Sequence, residues 1–555
     1  GELRLPMRFL YSSPIAWRMK GLAQLGIQAE VQALAGLPGV AGAISVATAE
    51  TLREALVARP GLAVLHLSAH CVLWPQPALL LEDECSSAHP LSEEDLAAIG
   101  VWSREDFLLV FLSCGSELLV NGLMRRAGLR RAVCCSGEVF DTAARLFCRS
   151  FYHALGSGHP VAECHRLAQG AVRTNANPGL RSEADKFLLL EAAAPGGDAA
   201  DGAGGALRRS EPRLPRVAAE ASWPRWPSWP PVEDYCCRVV DTLRIAACFR
   251  QRRVLLLWGA RGVGKTALCR EVCRHYSAPG GRLFSAGAAW LDRGAAAPSA
   301  SGAAAPGGDD EGGDAREALE QALSDVLRSE GTPCPAAAAP SDEHPAQPPQ
   351  QHQQRLRSLA EALDRGGRRL LVVDGLRLPL YPSDDDAEEE EGPLAAALEE
   401  LLTASASLRV LLTALRVPSS RCWRSLAMAK VNTLELSPLP PRSAAELFAR
   451  RVRRPLYAHD FDLSAPAPGH AGAAPLPMGG RQAEAGDLLD RLAAAPLLHS
   501  LGNLPGRIVE AAAQVDEGLP SLLRHPALPA SWKAASLPAL PLGEDDPSFE
   551  REDGD

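Results

Sequence analysis

The stretch VLLLWGARGVGKTALC, residues 254–269, reads as an apolar strand, a glycine-rich loop and the first turns of a helix. Gly259, Gly264, Lys265 and Thr266 satisfy the pattern G-x-x-x-x-G-K-[ST], with Ala260, Arg261, Gly262 and Val263 completing the loop. Glycines let backbone N–H groups turn inward around phosphate oxygens. The lysine supplies a point charge at the terminal phosphates, and the hydroxyl holds Mg2+. The helix behind the loop adds the partial positive charge of its N-terminus. At this chain's residue frequencies the pattern would arise by chance roughly 0.003 times over the whole length. Lysine is scarce as well: Lys20, Lys186, Lys265, Lys430 and Lys533 are the only ones. The loop is expected to bind ATP with Mg2+.

A site of this kind needs a second strand that ends in an acid. RRLLVVDG (368–375) provides it, and Asp374 joins Thr266 as the expected Mg2+ ligand. Gly375 and Leu376 follow, where an acid to activate water would be expected. Slow hydrolysis is predicted, and with it a switch more than a motor.

The remainder of the 555 residues is uneven. Hydrophobic residues make 46%, charged residues 22%, and the formal net charge is −10. No apolar run approaches the roughly 18–20 residues that span a bilayer, and no secretory signal is visible. The acidic balance argues against a dedicated nucleic-acid binder. ARRVRR (449–454) is the only basic run in its favour, and a solvated helix face explains that run equally well. The 14 cysteines form no C-x-x-C array and do not suit a disulfide scaffold, so a reducing cytoplasmic compartment is expected. Gly 48 and Pro 45 cluster in a few places. These places divide the chain: an α/β domain over 1–190, a linker over 191–231, and a second α/β domain over 232–441. A helical subdomain (442–530) and an acidic tail (531–555) follow. Two segments of the second domain, near 293–314 and 333–354, read as disordered insertions.

The first domain alternates strands and helices, as a parallel sheet covered on both faces does. LAVLHLSAH (62–70) and DFLLVFLSC (106–114) are continuous apolar runs of the buried parallel kind. Their carboxyl ends carry His70 and Cys114. If the two strands are neighbours, both residues sit on one rim, where open α/β sheets collect ligands and catalytic groups. An imidazole beside a thiol can generate the thiolate and then protonate a leaving amine. The separation of 44 residues, 114 − 70, is close to the roughly 50 of caspase-type sites. Gly115 is the candidate for offering backbone N–H to an oxyanion. A buried structural cysteine with a hydrogen-bonded histidine accounts for the same spacing. Zinc binding by His66, His70 and Cys71 lacks a fourth ligand at sensible spacing.

Two resemblances add to these readings. Over about 232–515, outside the insertions, the chain resembles the STAND (NB-ARC-like) branch of P-loop ATPases. DYCCRVVDTLR (234–244) is similar to its opening motif, with Arg238 at the arginine position and Cys237 where glycine is usual. LRVLLTALR (408–416) is similar to its third strand, with Thr413 matching and Leu415 where the arginine is usual. VNTLELSPLPPRSAAELFARR (431–451) resembles the lead into its helical subdomain. LGNLPGRIVEAA (501–512) resembles the loop whose proline contacts adenine, here Pro505. Residues 4–172 resemble the CHAT domain, a caspase-like peptidase family. The resemblance rests on VLHLSAHC (64–71), LLLEDE (79–84), LSEEDL (91–96), FLSCGSE (111–117) and the segment 128–168. Carried over by position, it implies His70 as general base and Cys114 as nucleophile. Cys71, Ser113 and Gly115 depart from the usual flanking residues. Together the resemblances imply a cysteine peptidase that cuts a protein substrate and is activated when ATP drives self-assembly, in signalling or in cell death and defence. The alternative is an inactive CHAT fold that serves as an interaction module on an ATP-dependent scaffold.

Overall fold

The computed structural model describes residues 3–192, 214–218, 238–292, 311–329, 348–376, 393–417, 431–452 and 489–514, apart from isolated positions. The expected linker, the run DDDAEEEE (384–391) and the acidic tail lie wholly or mostly outside the described residues. Contacts divide the chain into two units, 1–437 and 438–555.

Strand β1 (Leu3–Tyr11) is the spine of the N-terminal domain. It pairs in parallel with β2 (Val40–Val46) on one side and with β3 (Val64–Ser68) on the other. Between these strands lie α1 (Ile27–Leu34) and α2 (Ala49–Val57). Three antiparallel strands follow β3, namely β4 (His70–Leu73), β5 (Pro77–Glu82) and β6 (Ala88–Ser92), and form a separate small sheet. After α3 (Glu93–Ala98) the chain re-enters the main sheet as β7 (Leu108–Phe111), continues through α4 (Glu117–Ala127), and returns as β8 (Arg131–Cys135). Helices α5 (Asp141–Gly156) and α6 (Val161–Arg173) lead to β9 (Phe187–Glu191), the antiparallel edge. The spatial order is therefore β9-β8-β7-β3-β1-β2, with a two-residue strand, Val217–Ala218, along the start of β1.

Burial on both faces explains why β3 and β7 read as unbroken apolar runs. Every residue of both strands is buried. One face packs under α1, α5 and α6 through Phe9, Val64, Phe147, Phe151 and Phe187. The other packs under α2, α3 and α4 through Leu65, Leu67, Trp102 and Phe111. The Phe147 and Phe187 rings stack at 4.2 Å.

The second domain opens with α7 (Val239–Gln251), then β10 (Val254–Trp258) and α8 (Lys265–Tyr276). Strand β11 (Ala288–Asp292) follows, with helices α9 (Glu311–Ser329) and α10 (Pro348–Asp364) after it. Then come β12 (Arg369–Leu376), α11 (Pro393–Ala404), β13 (Leu408–Ala414) and β14 (Asn432–Glu435). The sheet is wholly parallel in the order β11-β12-β13-β10-β14. Helices α9 and α10 reach into the two segments expected to be disordered, covering 311–314 and 348–354. The reason is apolar spacing just downstream. Leu319, Leu323 and Leu327, and likewise Leu356, Leu359 and Leu363, form buried stripes that carry a polar first turn into the helix. The second unit contains α12 (Pro441–Arg451), α13 (Pro496–Ser500) and α14 (Pro505–Gln514), within the span expected to be helical. Among the described residues no helix is long and apolar enough to cross a membrane.

Gly156 is the last residue of α5. It also lets two backbones meet, because a Cβ at Gly156 would lie 2.2 Å from the Pro38 carbonyl oxygen. Gly156→Ala must push α5 away from the turn before β2, a steric cost of about 1–3 kcal/mol. We expect a lower denaturant midpoint for the N-terminal domain, followed by circular dichroism. An unchanged midpoint would mean that the two backbones are free to part.

Candidate functional site

Strands β3 and β7 are direct parallel neighbours, with Val64 opposite Leu108 and Leu67 opposite Phe111. The condition set by the sequence is met. The chain leaves both strands at the same rim, and a bond from the Ala69 N–H to the Ser113 hydroxyl (3.3 Å) ties the two exits together. His70 and Cys114 line one cavity of about 80 Å³, with Glu30, Cys71, Asp141 and Arg145 also on its wall. Cys114 is exposed and His70 is half-buried. Cys71 donates to or accepts from the Ser113 side chain, and burial pushes its thiol up, so Cys114 is the accessible one of the two.

Gly115 behaves differently from its expected role. Its φ of +66° is left-handed, which accounts for the glycine. Its N–H donates to the Gly137 carbonyl at 3.1 Å. An oxyanion contact at Gly115 would have to open that bond. His66 also departs from the weighed zinc set of His66, His70 and Cys71. Its ring turns to the opposite face, with Nδ1 2.9 Å from the Tyr152 hydroxyl and Nε2 3.0 Å from Glu30 Oε1.

In the second domain the loop between β10 and α8 has Gly259, Gly262 and Gly264 at φ of 151°, 79° and 100°. At Gly259 a Cβ would stand 2.7 Å from the Leu436 carbonyl, so the loop closes on β14's exit only with glycine there. Arg261 and Gly262 are exposed, Ala260, Gly264, Lys265 and Thr266 are half-buried, and Val263 is buried beneath them. Lys265 Nζ donates to the carbonyls of Gly259 (2.7 Å) and Ala260 (3.0 Å). Burial lowers its pKa, while Asp374 and Cys269 raise it. Arg238 is buried and donates to the Val263 carbonyl at 2.8 Å and to Asp241 at 3.2 Å. It braces the back of the loop. Asp374 lies near the end of β12, on the far side of β13 from β10. Thr413 on β13 holds it, donating to Asp374 Oδ1 at 2.6 Å and accepting from the Gly375 N–H at 2.8 Å. Leu415 and Arg416 are exposed. Pro505 opens α14 in the second unit.

Helix α8 runs from the glycine-rich loop to the first domain. It starts at Lys265, and Tyr276 at its other end donates to the Cys85 carbonyl (3.0 Å) in the loop after β5. Arg250, near the end of α7, pairs with Glu84 of the same loop. A cavity of about 450 Å³ lies along this seam, lined by Tyr11, Gln24, Glu82, His275 and Tyr276 among others. Burial pushes the His275 imidazole down to about 3. Glu82 is pushed up to about 7 by burial, against hydrogen bonds from the Ser13 N–H and Ser86. Sequence reasoning missed Glu30 and Glu82. The spacing of Ile27, Val31 and Leu34 was the available sign of the helix that carries Glu30.

The family model of the CHAT domain matches residues 16–213, and that of an AAA ATPase domain matches residues 238–413. No curated protein matches the chain. Among solved structures, the chain is similar to a Signal Transduction ATPase with Numerous Domains (STAND) protein with a tetratricopeptide repeat sensor from Pyrococcus horikoshii. The identity is 17% and the TM-score 0.23, over 40% of this chain and 26% of that one. It is also similar to a Walker-type ATPase of Pyrococcus abyssi, at 15% identity and a TM-score of 0.27, over 51% of this chain and 67% of the other. A third likeness is to PCH-2 of C. elegans, at 13% identity and a TM-score of 0.24, over 49% and 59%. The chain thus spans about a quarter of the length of the first of these.

Two measurements check this geometry. Thr413→Val removes a hydrogen bond to a charged group and leaves Asp374 without its holder, so nucleotide affinity with Mg2+ should fall on the order of tenfold by calorimetry. For Glu82, a folded pKa near 7 against an ordinary 4.5 means a stabilising contribution complete below 4.5 and lost as pH rises through 7. Glu82→Gln keeps an oxygen for the Ser13 N–H and should flatten the decline in denaturant midpoint over that window. An identical decline in both proteins would refute a buried titrating carboxyl.

Proposed function

We propose that this protein, a CHAT domain followed by an AAA ATPase domain, is a cysteine peptidase whose activity is set by the nucleotide state of the second domain. The observation that carries the reading is the parallel pairing of β3 with β7, which delivers His70 and Cys114 to one cavity. In the proposed reaction His70 takes the Cys114 proton and the thiolate adds to the scissile carbonyl carbon. The imidazolium then gives that proton to the leaving amine, and water, deprotonated by His70, hydrolyses the thioester and restores the thiol. The second reading, an interaction module without catalysis, is favoured by the Gly115 N–H being bonded to Gly137.

The residues present suit a nucleotide. Gly259, Gly262 and Gly264 all take positive φ, and a Cβ at Gly259 would collide with the Leu436 carbonyl, so the loop's shape depends on glycine. Lys265 would meet the terminal phosphates, and Thr266 and Asp374 would hold Mg2+, whose role is to neutralise phosphate charge. No acid follows Asp374, so hydrolysis is slow and the bound nucleotide persists. Control of the first domain is supported by α8, which links Lys265 to Cys85, and by the Arg250–Glu84 pair. Self-assembly of ATP-loaded chains on a protein substrate completes the proposal.

A thiol-reactive peptide probe should label the full-length protein with ATP and Mg2+ more strongly than without them. Cys114→Ala should lose that labelling, and Lys265→Ala should lose the ATP dependence along with nucleotide binding. Equal labelling of Cys114→Ala would remove the peptidase reading and leave the interaction module. Labelling that ignores Lys265→Ala would separate the two domains functionally.

A further inference from the structure

Beneath the Cys114 cavity lies a cluster that the proposed reaction does not use. Glu30 comes from α1, His66 from β3 and Cys148 from α5, and one donor atom of each lies within 4.8 Å of the other two. His66 and Cys148 are buried, and the Glu30 side chain is 12% exposed where it reaches the cavity wall. We infer that Glu30, His66 and Cys148 form a zinc-binding site that ties α1, β3 and α5 together below the His70–Cys114 rim.

Four features favour a metal over a plain hydrogen-bond network. First, the donor set of carboxylate, imidazole and thiol is one that zinc takes and that calcium or magnesium does not. Second, the spacing is close to what zinc needs. Bonds of about 2.0–2.3 Å set tetrahedral edges of roughly 3.3–3.6 Å. Glu30 Oε1 lies 3.0 Å from His66 Nε2 and 3.9 Å from Cys148 Sγ, so modest side-chain shifts close the triangle. Third, each ligand has an outer partner of the kind that orients metal sites. Tyr152 can accept from the Nδ1–H of His66, which leaves the Nε2 lone pair on the cluster side. The Ser68 hydroxyl holds the other Glu30 oxygen at 2.9 Å, and the Phe9 ring stacks on the imidazole at 4.5 Å. Fourth, Glu30 has no ion-pair partner but His66 among the described residues, and its other side-chain hydrogen bonds come from the Ser68 hydroxyl and the Cys148 thiol. A dication supplies the charge that this carboxylate lacks. With three protein ligands, a water would complete a tetrahedral zinc. Binding releases the Cys148 thiol proton to solvent.

Cobalt(II) titration of the chelator-stripped full-length protein tests the site. One equivalent should give intense visible bands of a tetrahedral ion and a near-ultraviolet thiolate-to-cobalt band, both displaced by zinc. The thiolate band should persist in Cys114→Ser and disappear in Cys148→Ser. Tyr152→Phe, which removes only an outer partner, should weaken cobalt binding about tenfold. No thiolate band in the wild type, or an undiminished one in Cys148→Ser, overturns the inference. If circular dichroism shows that Cys148→Ser does not fold, Tyr152→Phe decides, and an unchanged affinity there is equally fatal.

Discussion

The parallel ladder between β3 and β7 is the constraint on which the N-terminal domain turns. Its bonds hold Leu67 opposite Phe111, so the residues just beyond each strand leave the sheet together. A slip of one residue would turn each strand's side chains to the other face. Leu65 and Leu67 would then point at α1 and α5, and His66 at α2 and α4. The two cores, one built on Phe147 and the other on Trp102, therefore set the register that brings Cys114 to His70. Packing energy of this size far exceeds the single bond from Ala69 to Ser113 that finishes the rim.

The second domain solves a similar problem with one more strand. β13 stands between the strand of the glycine-rich loop and the strand of Asp374. Thr413 uses that intermediate position, and its hydroxyl both receives the Gly375 N–H and fixes Asp374. Arg238 plays the matching part behind the loop, where its guanidinium takes up the Val263 carbonyl. In both cases a side chain from a neighbouring element orients a group that the motif itself only positions.

How much of this was legible follows from how local the signals are. The loop at 259–266 and the apolar strands carry their meaning within a dozen residues, so the parallel α/β class and the His70–Cys114 rim could be read directly. The Glu30, His66 and Cys148 cluster could not. Its partners stand 36 and 118 residues from Glu30, and strand alternation alone does not say which helix covers His66. The edges of the expected insertions were misjudged for a related reason. Gln-rich composition at 350–354 reads as loose, yet Leu356, Leu359 and Leu363 bury a stripe that makes the preceding turn helical. The Gly115 N–H was assigned outward because local sequence does not reveal the Gly137 carbonyl that accepts it.

The seam between the domains bears on how nucleotide could matter to a thiol so far from it. Helix α8 is 12 residues long, about 18 Å, and rigid along its axis. A shift at Lys265 is therefore delivered to Tyr276 with little loss, and Tyr276 grips the loop that follows β5. β5 in turn pairs with β4, where His70 stands opposite Leu80. The chain of contacts has no slack segment until the loop at 83–86, and that loop is also pinned by Arg250. A movement of α8 acts on that loop through the Tyr276–Cys85 contact, while Arg250 of α7 holds the same loop through Glu84. β4 begins with His70, so the pairing of β4 with β5 is the route by which the proposed coupling would reach the imidazole.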